Sequence, residues 1–328
     1  MAQEAESFAS YRRLWEQEWR QTCSIFTEAT LLSSMQFTHY TPGRIVSNPE
    51  CSTMETLQII SIQLTQLADG LDFPLSVYGV VAVRDMVDRN RNVLFFRNSY
   101  EAQELKQNDS FLHLVGPSRA ILFRNNVWIE IELRVKGRAY SQLMSCARRY
   151  NGGDPGVSSI CFKNALCTLE LCLQPVEKAI QATILGVQVS KDDGSWPFKY
   201  GGLVACTPQS GTLRVTDDRI TREIDPSSTQ IVLIESKDDA MPKGQNGYVL
   251  LRRQVVSVQL EGRLDVVVKA YSKSGGIVAE TCVSFDPHVC NISRKKFDLG
   301  DDAQGAVIIA WSRVAASKMG ASVELNGV

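Results

Sequence analysis

From about residue 54 onward, apolar and polar positions alternate with a period of two. In VWIEIELRVK, Val127, Ile129, Ile131, Leu133 and Val135 fall on one side, and Trp128, Glu130, Glu132, Arg134 and Lys136 on the other. That is the pattern of a half-buried strand. Ile60, Ile62 and Leu64 oppose Ser61, Gln63 and Thr65; Leu169, Leu171 and Leu173 oppose Glu170 and Cys172; Val256, Val258 and Leu260 oppose Ser257, Gln259 and Glu261. Further strands are predicted over 77–83, 92–96, 110–115, 179–189, 202–206, 231–235, 264–271, 277–285 and 306–313. One apolar and one wet face per strand, with short polar turns, predicts antiparallel sheets packed as a β-sandwich, either one large sandwich or two. In AIQATILGVQV the inward parity of Ile180, Ala182 and Ile184 slips to Leu185, Val187 and Val189, which predicts a β-bulge near Ile184.

The opening segment has another period. Phe8, Tyr11, Trp15, Trp19, Thr22 and Phe26 recur at steps of three and four, with Arg12, Arg13, Glu16, Gln17 and Arg20 on the other sides. This predicts an amphipathic helix, capped by Ser7 or Ser10, whose aromatic stripe packs on the protein's own body. The expected organisation is a helical arm over 1–53, a β-rich body over 54–314 with an internal division near 190–200, and a tail over 315–328. RAILFRNNVWIEIELRVKG and QVVSVQLEGRLDVVVKAYSKSG share a pattern that reads as a repeated hairpin.

Composition narrows the class. The 328 residues carry 35 Lys plus Arg against 36 Asp plus Glu, so no broad basic field favours nucleic acid. The N-terminus is acidic from the start and reads as neither a secretory signal nor a transit peptide. No run approaches the ~18 apolar residues of a membrane span. Nine cysteines without paired spacing suit reduced thiols. These features predict a cytoplasmic protein, with the nucleus left open, and leave the Asn108 and Asn291 glycosylation patterns silent.

The stretches LSVYGVVAVRDMVDRNRNVLFFR, LVGPSRAI, CTLELCLQPVEKAIQATILGVQV, GYVLLRRQVVSVQLEGRLDVVVKAYS and VIIAWSR, spread in order over roughly residues 54–314, resemble the plant family, expanded in grasses, named only as domain of unknown function 6598. The resemblance implies a β-rich plant protein. It brings no reaction, cofactor or catalytic residue.

The residues themselves offer little catalysis. His39, His113 and His288 lack zinc spacing, and Cys161, Cys167 and Cys172 are spaced unlike a zinc knuckle, with Cys167 and Cys172 on opposite faces of one strand. No nucleophile elbow, phosphate cradle or dinucleotide fingerprint is present, so neither cofactor nor metal is expected. The pairs Asp192-Asp193, Asp217-Asp218, Asp238-Asp239 and Asp301-Asp302 sit in predicted turns, where local hydrogen bonding accounts for them and a calcium site is the alternative. The loop RDMVDRNRN places Arg84, Asp85, Asp88, Arg89 and Arg91 after a strand, with Arg119 following Gly116-Pro117-Ser118. The cluster reads either as arginine forks for an anion or as charges neutralised within the fold. Trp196, Lys199 and Tyr200 in WPFKYGG suit stacking on a sugar or base, or packing where a strand begins.

Three functions are therefore carried forward: a non-enzymatic β-sandwich acting through a macromolecular, most simply protein, partner; a calcium- or anion-dependent membrane-surface module; and a ribosome- or carbohydrate-directed defence enzyme. The first leads, because strand signal is plentiful and no catalytic set is recognisable.

Overall fold

The computed structural model describes residues 2–21, 25–30, 51–137, 141–152, 156–208, 214–217, 220–223, 230–237 and 239–317. Thr22, Cys23, His39, Asp218, Asp238, the 226–228 turn and the tail beyond 317 lie outside them.

The chain is mainly β and its sheets are antiparallel. One strand organises them: Cys167–Lys191, 25 residues without interruption, where the alternation suggested two strands. Its first half pairs with Met54–Leu67 on one edge and Ser158–Lys163 on the other. Its second half pairs with Val255–Gln259 and Ala303–Ser312. Ala179 pairs with Met54 on one edge and Gln259 on the other, so Ser158–Lys163 and Val255–Gln259 follow one another along a single edge. Between Leu173 and Ala179 that edge has no strand partner. Pro175 falls in the gap, as expected of a residue that cannot donate to a ladder.

The two halves serve two sandwiches of one topology. In the first, the inner sheet runs Ile121–Leu122, Met54–Leu67, the first half of the long strand, Ser158–Lys163. Its outer sheet runs Asn92–Arg97, Leu75–Arg84, Val127–Val135, Gln142–Tyr150. In the second, the inner sheet runs Val255–Gln259, the second half of the long strand, Ala303–Ser312, Asn291–Asp298. The outer sheet runs Ile231–Ser236, Gly202–Pro208, Leu264–Tyr271, Ile277–Phe285. Numbered in chain order within each sandwich, both inner sheets read 4-1-8-7 and both outer sheets 3-2-5-6. The long strand is the eighth of the first sandwich and the first of the second.

This arrangement corrects the hairpin reading of the repeated segments. Ile121–Leu122 and Val127–Val135 belong to different sheets, as do Val255–Gln259 and Leu264–Tyr271. Each segment instead carries the chain across a core from inner to outer sheet. The resemblance reflects equivalent places in the two sandwiches.

Each sandwich has its own core. Leu57, Ile59, Leu169 and Leu171 meet Val81, Ile129 and Ile131 in the first. Ile180, Ile184 and Val187 meet Val204, Val266, Val268 and Trp311 in the second. Cys167 packs into the first core and Cys172 against the second, on opposite faces as the spacing requires. The bulge occurs where expected, between Ile184 and Gly186. Leu185 is the extra residue and stays out of the core, which resumes at Val187. A Cβ on Gly186 would lie 2.5 Å from the Tyr248 ring, so glycine lets that ring close over the bulge.

Strands the pattern concealed are those with an unusual neighbour. Asn291–Asp298 is an edge strand whose Arg294, Lys295 and Lys296 are all exposed, charges that discourage further pairing. Gln142–Tyr150 lacks clean alternation because a helix lies across it.

That helix spans Ala2–Trp19. Ser7 and Ser10 stand inside it and cap nothing; Ser10 Oγ accepts from Arg13 Nη2 at 2.8 Å. Phe8 and Trp15 are buried against Phe26, with Tyr11, Trp19 and Ala147 packed around them, so the stripe faces the protein's own body. Tyr11 lies 4.7 Å from the Trp128 ring, on the face of Val127–Val135 that alternation assigned to water. Phe26 is 1% exposed and touches Phe8, Tyr11 and Trp15. Phe26→Ala is expected to cost about 3–5 kcal/mol, measured as a lower urea midpoint, and to speed trypsin cleavage at Arg12, Arg13 and Arg20.

Candidate functional site

The arginine-rich loop lies beneath the helix. Glu130 is fully buried there and receives Arg84 Nε, and Arg91 Nε at 2.7 Å. Arg91 also pairs with Glu132, and Tyr11 donates its hydroxyl to Glu130 at 2.7 Å. The Arg84 guanidinium also lies over the Trp15 and Phe26 rings, 4.5 Å from each centroid. Burial works against the charged form of Arg91, yet Glu130 and Glu132 more than offset it and raise its proton affinity. Burial, then the Glu130 carboxylate, holds the Tyr11 phenol protonated far above its usual range.

A second buried set adjoins it. Arg119 forms a fork with both Asp85 oxygens at 2.6 and 2.8 Å and reaches Asp88 at 3.0 Å. Asp85 also accepts the Val87 and Leu122 amides. Arg89, in a left-handed backbone conformation, sets its guanidinium 4.4 Å from the Trp19 ring. Arg84, Asp85, Asp88, Arg91 and Arg119 are thus brought together, buried, with their charges answered inside the fold. Glu130, Glu132 and Tyr11 complete the network. Local pattern missed them because Glu130 stands at a wet-face position and only the helix decides what covers it.

Trp196, Lys199 and Tyr200 belong to the second sandwich. Trp196 Nε1 donates to the Met241 carbonyl at 3.0 Å, and Phe198 between them is fully buried. Tyr200 is exposed, with Lys199 Nζ 5.3 Å from its ring. The Asp192-Asp193 and Asp301-Asp302 turns adjoin through Lys191, whose Nζ meets Asp302 at 2.7 Å. No cluster of three or more potential metal-ligating side chains occurs among the described residues.

A concavity lies where the two sandwiches meet. A cleft of about 450 Å³ opens between the 109–114 segment and the edge strand Ile231–Ser236. This segment, expected as a strand, is a strap. Leu112 N donates to the Ile62 carbonyl at 2.8 Å and Val115 N to Leu94 at 2.8 Å, tying it to the inner and then the outer sheet. The buried Gln103 amide fixes its middle by donating to the Phe111 carbonyl at 2.8 Å and accepting from His113 N at 2.9 Å.

The cleft walls are apolar, from Ile60, Leu112, Leu203 and Leu233, while Phe111 and Val232 stay 44% and 39% exposed. Polar groups converge among them. Lys237 lies 3.7 Å from Asp109 and 3.6 Å from Glu235, which also accepts the Tyr271 hydroxyl. No carboxylate pairs with Arg252 or Arg97 among the described residues. Burial, then the charge of Arg97, lowers the proton affinity of Arg252. His113 is pushed down to about 4 by burial first and Arg252 next, with Arg97 and Lys237 adding and Asp109 opposing. The cleft is therefore an apolar slot with a neutral imidazole, two carboxylates, from Asp109 and Glu235, and two cations, from Lys237 and Arg252.

Two predictions arise here. Glu130→Ala leaves the buried Arg84 without a carboxylate and Arg91 with Glu132 alone, and is expected to cost about 3–5 kcal/mol in urea unfolding, more than a surface change could. His113 titrates lower folded than its ordinary 6.5, so the unfolded chain takes up the proton first as the medium acidifies. Its contribution to stability is complete above about 6.5 and is lost as pH falls toward about 4. His113→Asn is expected to flatten that part of the stability profile, and the imidazole resonances of His113 in the intact protein are expected not to shift between pH 8 and 6.

No curated protein matches the chain. Among solved structures, similarity is found to human GIVD cytosolic phospholipase A2 in complex with a methyl gamma-linolenyl fluorophosphonate inhibitor and terbium chloride, at 9% identity and TM-score 0.24, over 81% of this chain and 33% of that one. The same human enzyme without these additions gives 11% identity and TM-score 0.22, over 80% and 33%. The chain thus spans about a third of the length of these proteins, and superpositions of that quality establish neither a common fold nor a common activity. The family model described as a domain of unknown function, DUF6598, matches residues 56–307, and the chain belongs to that family.

Proposed function

We propose that this protein is a non-enzymatic binding module that acts through a protein partner, and that the junction cleft receives an apolar, acid-bearing segment of that partner. The observation that carries the reading is the unneutralised pair Arg252 and Arg97 beside an apolar slot. Arg252 lines the cleft without a carboxylate partner among the described residues, and an incoming carboxylate would pair with it. Exposed Phe111 and Val232 at the cleft would supply the apolar contact that a charge pair alone does not. The edge strand Ile231–Ser236 and the strap, anchored in different sandwiches, make the slot a product of their junction.

The test is selection of binders from a random peptide library on the full chain. Enrichment of peptides with an aromatic or aliphatic residue next to Asp or Glu is expected. Arg252→Glu is expected to weaken the selected peptides by about tenfold or more, equivalent to ~1.4 kcal/mol, and to shift preference toward basic ones. Selected peptides that bind Arg252→Glu equally well, or turnover of a substrate in the cleft, would overturn the reading.

A further inference from the structure

A second cavity, of about 760 Å³, lies at the gap in the long strand's edge and is polar where the cleft is apolar. It forms because Ser158–Lys163 ends opposite Leu173 and Val255–Gln259 begins opposite Ala179. Gln174 and Glu177 of the unpaired stretch face it, joined by Glu55, Asn125, Asn151 and Gln259. None of these six side chains makes a hydrogen bond or ion pair with another described residue, and Gln174 Oε1 is buried without a partner. A buried amide oxygen left open costs free energy that an incoming donor would recover.

The composition of the wall selects the ligand. Four amides offer donors and acceptors, two carboxylates offer acceptors, and no Lys, Arg or His is among the described residues that line the cavity, which disfavours an anion. Phe123, buried in the first core and stacked on Tyr150 at 5.5 Å between ring centroids, reaches the cavity only from below. Gly152, at φ 95°, brings the backbone close to that ring: a Cβ there would sit 3.3 Å from it. Amides and carboxylates in this number suit a neutral molecule dense in hydroxyl groups. The volume falls within the range of small-ligand sites, about 300–1,000 Å³. Glu55 and Glu177 lie close enough that burial, then their mutual repulsion, raises the Glu55 carboxyl above its usual range.

We propose that this gap cavity binds a short neutral oligosaccharide, with Asn125, Asn151, Gln174 and Glu177 hydrogen-bonding its hydroxyls. The site is independent of the junction cleft, shares none of its residues, and stands whether or not the cleft takes a peptide.

The experiment is titration calorimetry and ligand-observed NMR on the full chain. The probes are neutral di- to tetrasaccharides of glucose, galactose, mannose, xylose and N-acetylglucosamine, with calcium chloride alone as a separate arm. At least one saccharide is expected to bind. Asn125→Ala and Glu177→Gln are each expected to weaken it by about tenfold while leaving the urea midpoint unchanged, as follows from loss of one polar contact. Arg252→Glu, in the cleft, is expected to bind it normally. If no saccharide binds, if calcium alone gives the heat, or if Asn125→Ala and Glu177→Gln bind as the parent does, the proposal is wrong.

Discussion

The architecture depends on one backbone constraint: a single strand must satisfy its hydrogen bonds in two sandwiches at once. Cys167–Lys191 closes the inner sheet of the first and opens that of the second. Its side chains must therefore serve two cores with a period that stays at two, and irregularities adjust the phase. Lys178, with positive φ, lies where the register with Met54–Leu67 breaks, and Leu185 bulges out before Gly186. The same constraint leaves the gap at residues 174–178, since the flanking strands end with their own sandwiches. The polar cavity is thus a by-product of joining two sandwiches on one strand.

The helix solves a different problem. An outer sheet in a sandwich keeps one face for water, yet here Tyr11, Trp15 and Phe26 cover part of that face and bury Glu130 with two arginines. Buried ion pairs add little net stability, because desolvation of the charges consumes most of their attraction. Burial of each large aromatic is worth about 1.5–3 kcal/mol, so the stripe supplies the adhesion. The polar contacts supply position: a helix shifted along the sheet would take the Tyr11 hydroxyl from Glu130 and the Trp15 ring from Arg84. In the junction cleft, by contrast, Arg252 lies exposed and has no carboxylate partner among the described residues.

Much of the fold was legible locally. Val127–Val135 and Leu264–Tyr271 announced themselves because their inner faces are apolar at every second residue, and the bulge announced itself as a slip in that rhythm. Asn291–Asp298 did not, because an edge strand that resists aggregation carries charge where a buried one carries hydrocarbon. The candidate sites were less legible. Arg84, Asp85 and Arg119 stood out as a cluster, but composition cannot tell a charge answered by Glu130 or Asp85 from one left open. His113 and Arg252 lie far apart in sequence, and the imidazole takes its character from burial first and then from that arginine.

What the sequence determined by itself was the period of each segment, hence pleated strands, one amphipathic helix and the side of each that avoids water. Those follow from backbone geometry and transfer of apolar groups, which act over a few residues. What only the tertiary structure decided was which wet face remains wet, which arginine finds its carboxylate, and where two sandwiches leave space between them. Those depend on groups separated by tens to hundreds of residues, and a linear pattern carries no distance between them.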